Sequence, residues 1–253
     1  MANTYSGQAK NVPNLLSVID ILAELGPKWN PILDSLTIDV LKARHAAADA
    51  LLDNYSTAFS YDQLKTDERA KVYKPLNDVV RRLYAAAQAC KMTPTTIEKV
   101  KTFKDVIDGT NIGQAAAKRE KEEEKAKAKL IEGESVPETP KKRSVSEQSY
   151  DERFNNFKQL VNFLTTSGEY KTNEPDLTLK ALNIFLDNLA AANKLTNDAD
   201  KALANIKAVR DNILSGDQNS ILADVRDIKL HLITMEGKKG TTYKKVIDFD
   251  FIK

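Results

Sequence analysis

The sequence predicts an all-α fold built from two tandem, homologous four-helix-bundle-like domains that are joined by a charged linker. The 253 residues include only nine Gly and eight Pro, fewer than turn-rich β folds and phosphate-binding α/β folds normally contain. Apolar residues recur at a spacing of three and four through most of the chain, which is the helical period. Similar landmark residues also occur in the same order on both sides of a charge-dense segment.

Four amphipathic helices are predicted in each half of the chain. Leu15, Ile19 and Leu22 form the apolar stripe of the first helix, and Phe157 to Leu164 form the corresponding stripe in the second half. Gly and Pro in GPKWNP and SGEYKTNEP end these helices. The other predicted helices cover 34–56, 62–73 and 76–90, and then 175–194, 198–214 and 220–235. Thr196, Asn197 or Asp198 is predicted to cap the helix that begins near 198.

The final apolar segment of each half differs in its pattern. Ile97, Val100 and Phe103 keep a helical spacing, whereas Ile247, Phe249 and Phe251 alternate as in a strand. Helix and strand therefore both remain open for the end of the second half. Because four short-looped amphipathic helices can bury their stripes only against one another, we predict an up-and-down bundle in each half.

An internal repeat sets the predicted domain boundaries. We expect a flexible N-terminus at 1–11, one helical bundle at 12–112, a charged and partly helical linker at 113–148, and a second bundle at 149–253. The linker contains AAAKREKEEEKAKAKLIEGE followed by a segment with Pro137 and Pro140. The paired positions are Trp29 with Tyr170, Leu36 with Leu177, Leu41 with Leu182, Arg69 with Arg210, Leu76 with Leu222, and Val100 with Val246.

Three strings of the second half and the closing residues point to a family. The strings are SVSEQSYDERFNNFKQLVNFL, YKTNEPDLTLKALNIFLDNL, the 210–214 stretch and TTYKKVIDF. In these landmarks the chain resembles a family of Bacteroidota proteins that are two helical units long and have no assigned function. The resemblance covers most of the chain and implies two helical units, but it implies no activity, ligand or catalytic residue.

Few residues could support catalysis or bind a metal. The chain has one Cys and two His, and His45, His231 and Cys90 do not align with a His or Cys in the other half. No CxxC, HExxH or calcium-loop spacing occurs, and GKKGTT at 237–242 has the wrong order for a phosphate-binding P-loop. We therefore predict no enzyme, no metal and no cofactor.

The charged residues suggest an alternative to a structural role, which is binding to nucleic acid or to another anionic surface. Residues 12–112 carry 13 basic and 13 acidic side chains, and residues 149–253 carry 15 of each, so neither predicted bundle has the basic excess that is typical of DNA-binding domains. Local patches could still bind nucleic acid or another anionic surface. The candidate contacts are Arg81, Arg82, Lys99, Lys101 and Lys104 in the first half and Lys238, Lys239, Lys244 and Lys245 in the second.

Two aromatic residues are the candidates for contact with a protein partner. Trp29 and Tyr170 lie in the loop after the first helix of each half, where each could anchor its own loop or contact a partner. We predict a non-enzymatic scaffold or adaptor that binds a protein partner or self-associates, for example in a virion or a cellular array. The start MANTYSGQAKN resembles no secretion signal and no apolar stretch is long enough to span a bilayer, so we predict a cytoplasmic protein without membrane insertion.

Overall fold

The computed structural model describes residues 7–109, 149–216 and 218–252, and within these ranges the chain is helical and contains no strand. This confirms the predicted all-α class. The predicted linker, 113–148, lies outside the described residues. The α-helices are α1 (Asn11–Glu24), α2 (Ile38–Tyr73), α3 (Leu76–Ala89), α4 (Pro94–Asp108), α5 (Tyr150–Ser167), α6 (Leu179–Ser215), α7 (Ile221–Glu236) and α8 (Thr241–Ile247).

The helices α2 and α6 are each continuous where the sequence predicted two separate helices. The predicted boundaries near 56–62 and 194–198 are therefore wrong. Neither helix contains Gly or Pro, so the backbone has no strong breaker along its length. The predicted N-cap is also wrong, because Thr196 lies inside α6. Its hydroxyl is 3.0 Å from the carbonyl oxygen of Ala192 and 3.1 Å from that of Lys65.

Several other helix ends follow the chemistry of their capping residues. The Ser149 hydroxyl accepts a hydrogen bond from the Glu152 amide at the start of α5, and the Ser220 hydroxyl accepts one from the Ala223 amide at the start of α7. Helix α4 ends at Gly109, which has a left-handed φ of 77°. Helix α7 therefore starts within one residue of the predicted start at 220.

The two chain ends of the described part are more ordered than the sequence patterns suggested. Gly7–Lys10 form a 3-10 turn, and Asn11 is fully buried at the start of α1, although 1–11 was predicted to be flexible. At the other end, the segment with Ile247, Phe249 and Phe251, for which helix and strand were both open, is neither of the two beyond its first residue, which ends helix α8. The helix stops at Ile247, and Phe249 and Phe251 follow in irregular backbone.

The described residues form two compact units, and each unit contains helices from both halves of the sequence. Unit 1 comprises the described residues up to Leu64 and those from Asp198 onward, and unit 2 comprises those between Lys65 and Asn197. Unit 1 therefore holds α1, the first part of α2, the last part of α6, α7 and α8. Unit 2 holds the remainder of α2, α3, α4, α5 and the first part of α6. The compact units thus differ from the predicted 12–112 and 149–253.

Each core is built where helices from the two halves meet. In unit 1, α1 packs against α7 and α8, and Leu15, Ile19 and Leu22 are buried together with Ile228 and Val246. In unit 2, α4 packs against both α3 and α5, which places the α5 stripe in one core with α3 and α4. Apolar burial at these crossings is the main stabilising contribution to each unit.

Buried positions recur with the same spacing in corresponding helices. In α1 and α5, the matching sets are Leu15, Val18, Ile19 and Leu22 and then Phe157, Leu160, Val161 and Leu164. In α3 and α7, they are Leu76, Val80, Leu83 and Ala87 and then Ile221, Val225, Ile228 and Leu232. The burial pattern therefore pairs Leu76 with Ile221, one residue before the Leu222 that the sequence comparison chose.

Candidate functional site

Unit 1 exposes apolar side chains beside the loop that joins α1 to α2. Ile32 is 88% exposed, Leu33 is 48% exposed, and Leu230 on α7 is 58% exposed. We call these three residues the apolar surface. They border a groove of about 360 Å³ whose other lining residues are Leu36, Asp227, His231 and Thr234. Contiguous exposed apolar groups of this kind are typical of sites that bind proteins or other apolar partners.

The imidazole in this groove packs against the indole of the predicted aromatic site. The His231 ring meets the Trp29 ring edge-on, with a centroid distance of 5.0 Å. Its Nε2 atom is buried and has no hydrogen-bond partner among the residues described. Cys90 belongs to unit 2, where its Sγ lies 3.5 Å from the carbonyl oxygen of Ala87.

The aromatic residues predicted as partner contacts anchor their own loops. The Trp29 Nε1 donates a hydrogen bond to the Leu36 carbonyl at 3.0 Å, and the Tyr170 hydroxyl donates one to the Leu177 carbonyl at 3.1 Å. Both aromatic residues are only 7% exposed. Burial raises the pKa of Tyr170 to about 12. Partner contact by Trp29 and Tyr170 stays a prediction, with little of either side chain available for it.

Most of the basic residues predicted in the first half pair with acidic or aromatic groups of unit 2. The Arg81 Nε lies 3.0 Å from the Asp108 carboxylate, and the Lys104 Nζ lies 2.7 Å from that of Asp105. The Lys99 ammonium lies 5.6 Å from the centroid of the Phe163 ring, which is the distance of a cation–π contact. Lys101 is exposed. Internal pairing therefore uses charge that an anionic ligand would need.

Arg82, the remaining member of this set, holds a loop residue of the other half. Its guanidinium donates two hydrogen bonds to the Asp176 carboxylate, at 2.5 and 3.0 Å. These bonds lower the pKa of Asp176 and raise the pKa of Arg82. The pair is exposed, so solvent weakens its contribution to stability.

The basic residues predicted near the end of the chain are gathered in unit 1 and are more accessible. Lys238 and Lys239 follow α7, and Lys244 and Lys245 lie on α8. All four are exposed, and no carboxylate of the described residues lies within 4.0 Å of their ammonium groups. This set therefore offers an anionic partner more free charge than the set in unit 2.

Unit 1 also contains a buried ion pair that the sequence patterns did not reveal. The Arg44 Nη1 lies 2.9 Å from each Asp224 carboxylate oxygen, and its hydrogen bond goes to Oδ1. Burial raises the pKa of Asp224 to about 6, with a further increase from Asp227, although Arg44 acts in the opposite direction. The pair joins α2 to α7, and its role is structural.

Unit 2 has a buried polar cluster where α2, α5 and α6 meet. The Tyr73 hydroxyl lies 3.0 Å from the Tyr150 carbonyl oxygen and 3.1 Å from the Asn193 Oδ1, and burial raises the pKa of Tyr73 to about 12. The Asn193 amide in turn donates to the Asp151 carboxylate. The Arg69 guanidinium stacks on the Tyr150 ring, 4.4 Å from its centroid. The Arg69 Nε is buried and has no hydrogen-bond partner among the described residues.

The sequence predicted no metal and no membrane insertion for the chain as a whole. The structure describes only part of that chain. Across 7–109, 149–216 and 218–252, no three His, Cys, Asp or Glu residues are grouped so that they could hold a metal ion. Among the same residues, no helix has the length and apolar character needed to cross a bilayer. Lys238 and Lys239 of the GKKGTT segment occupy the turn between α7 and α8.

The apolar surface is the site that the sequence patterns missed. Ile32 and Leu33 follow Pro31 in a loop, outside any predicted helical stripe, and an apolar pair in such a position is the signal that could have identified it. Comparisons of the chain with protein family models, with curated proteins and with solved structures found no match.

Proposed function

We propose that the protein is a non-enzymatic structural or interaction protein, a scaffold or adaptor within a larger assembly such as a virion or a cellular array. The observation that carries the proposal is the apolar surface of unit 1, where Ile32 alone is 88% exposed. Exposing large apolar side chains to water is unfavourable, and their burial by a partner gives the binding free energy. A second copy of the chain is the partner that we propose first, because a two-fold axis pairs a surface with its own copy, so that each apolar surface would be buried against another apolar surface.

The two units support this role because they share a framework and differ at this surface. We propose that the chain arose as two homologous helical bundles joined by the charged linker. At the positions that correspond to Ile32 and Leu33, unit 2 has Asn173 and Glu174, which are both polar and exposed. The framework has therefore been kept while one copy of the loop became apolar, which favours binding over folding as the reason for the apolar residues.

Introducing negative charge on the apolar surface is expected to prevent self-association. In sedimentation-velocity measurements between about 1 and 200 µM, we expect concentration-dependent dimers of the wild type and at least tenfold weaker association of the double variant Ile32→Glu, Leu230→Glu. At low concentration, where the wild type is also monomeric, the exposed positions predict the same thermal midpoint for the two proteins. The matched control is Asn173→Glu in the corresponding loop of unit 2, which should associate like the wild type. A wild-type chain that stays monomeric over this range contradicts self-association.

The second candidate function is binding of nucleic acid or another anionic surface, and the four free lysines of unit 1 favour it. Replacing Lys238, Lys239, Lys244 and Lys245 with Glu should abolish binding to a fluorescent double-stranded oligonucleotide at about 50 mM salt, and raising the salt should weaken wild-type binding steeply. The control is Lys101→Glu with Lys99→Glu in unit 2, which should bind almost normally. Absence of wild-type binding at this low salt rules out the candidate.

A further inference from the structure

We infer that the two halves of the chain, 1–112 and 149–253, are obligate binding partners that exchange helices, and that they remain a 1:1 complex after the chain between them is cut. Each half provides its beginning to one unit and its end to the other. Unit 1 receives α1 from the first half and α7 and α8 from the second, whereas unit 2 receives α3 and α4 from the first half and α5 from the second. Neither half alone contains the helices of a complete core.

Apolar packing in unit 1 shows this dependence. The α1 residues Leu15, Ile19 and Leu22 are 0% exposed, and the helices that α1 packs against are α7 and α8. A free first half would therefore expose the part of this stripe that α7 and α8 cover. Burial of such side chains is the main stabilising contribution to a core, so their exposure disfavours a folded first half on its own.

Hydrogen bonds join the first described helix of the chain to its last described residues. The Asn11 side-chain amide donates to the Ile252 carbonyl and accepts from the Ile252 amide, at 2.8 Å in both cases. The Asn14 side-chain amide donates a hydrogen bond to the Asp250 backbone carbonyl, also at 2.8 Å. The Asn11 pair is a reciprocal recognition of one residue's backbone by a buried side chain. Such paired bonds fix the register between the two halves, which nonspecific apolar contact does not.

Unit 2 has its own set of polar contacts between the halves. The Glu169 carboxylate, in the loop after α5, accepts a hydrogen bond from the Thr93 amide at 2.6 Å and lies 3.3 Å from the Thr96 hydroxyl. The Arg153 guanidinium donates to the Asn77 side chain at 2.6 Å. Within each unit, contacts thus join the two halves of the chain. These contacts would be intermolecular if the chain were divided.

The experiment divides the folded protein without removing any of it. A protease recognition sequence inserted after Pro140 allows the purified full chain to be cut in its predicted linker. We expect the cut protein to elute from a size-exclusion column as one complex that contains both fragments in equal amounts. Fragments that elute separately as folded monomers would overturn the inference.

Thermal unfolding provides a second readout, because a complex of two fragments unfolds with a concentration-dependent midpoint. A hundredfold rise in protein concentration favours the complex by about 2.7 kcal/mol, which corresponds to roughly 5–10 °C for a protein of this size. The uncut protein with the same insertion is the matched control. Both proteins carry Ile32→Glu and Leu230→Glu to remove self-association, so the midpoint of the uncut control should not change with concentration. A midpoint of the cut protein that is equally constant would also overturn the inference. The outcome does not depend on the apolar surface, so it is independent of the proposed function.

Discussion

Replacing Leu22 on α1 with alanine is expected to destabilise α7 and α8, although both belong to the other half of the chain. Leu22 is fully buried in the core that these helices share with α1. Loss of a buried leucine with incomplete collapse of the cavity costs about 2–5 kcal/mol. Hydrogen exchange followed by mass spectrometry should show faster exchange in peptides from 221–247, and urea unfolding should measure the loss of stability.

The chain offers a matched control for this prediction in Leu164 on α5, which corresponds to Leu22 and is also fully buried. Alanine at Leu164 is expected to speed exchange in α3 and α4, because its core is that of unit 2. Each variant should therefore affect helices in the half of the chain that does not contain the substitution. If Leu22→Ala instead speeds hydrogen exchange in α3 and α4 while α7 and α8 stay protected, the placement of α1 in one core with α7 and α8 is wrong.

Replacing Asp224 with asparagine is expected to remove a pH-dependent contribution to stability. The pKa of Asp224 is about 6 in the folded protein and 3.8 without burial, so the folded state binds the proton more tightly than the unfolded state. The contribution of the Asp224 carboxyl to the free energy of unfolding is therefore fully present below about pH 4 and is lost as the pH rises through 6. The wild type should lose about 2 kcal/mol relative to Asp224→Asn between pH 4 and 7, after allowance for solvent screening.

Urea unfolding at several pH values measures this difference. Asp176→Asn is the control. The pH dependence of its effect on stability should have the opposite sign, because Arg82 lowers the pKa of Asp176. The stability that Asp176 contributes is present at neutral pH and is lost as the pH falls, and the effect should be small because this pair is exposed. A wild type that gains stability over Asp224→Asn as the pH rises would show that the attraction of Arg44 outweighs the cost of burial.

Helical content could be predicted from the sequence, because a stripe at the helical period shows which face of a segment is buried. The same stripe does not show which helix buries it. Leu22 and Leu164 occupy equivalent positions on equivalent helices, so a core within one half and a core shared between halves fit the pattern equally well. The exchange of helices therefore required the structure, and the pattern alone favoured the simpler arrangement of two consecutive bundles.

The misplaced helix boundaries have a different cause. Thr196 belongs to the residue types that commonly cap helices, but inside α6 its hydroxyl bonds to the Ala192 carbonyl one turn earlier. A capping residue whose hydroxyl is satisfied in this way can remain within a helix. The absence of Gly and Pro from α2 and α6 was the better indicator. At the candidate sites, the basic residues could be identified by type, but their pairing with acidic groups from distant segments could not.

The contact between Asn11 and Ile252 bears on how the protein is made. Helix α1 is synthesised before α7 and α8, so the part of its apolar face that these two helices cover stays uncovered until they have left the ribosome. Protein synthesis adds about 5–20 residues per second, so this face stays uncovered for roughly 10–50 s. Nascent chains that expose such a face are substrates for chaperones and prone to aggregate, so expression yield should depend strongly on temperature and on chaperone supply.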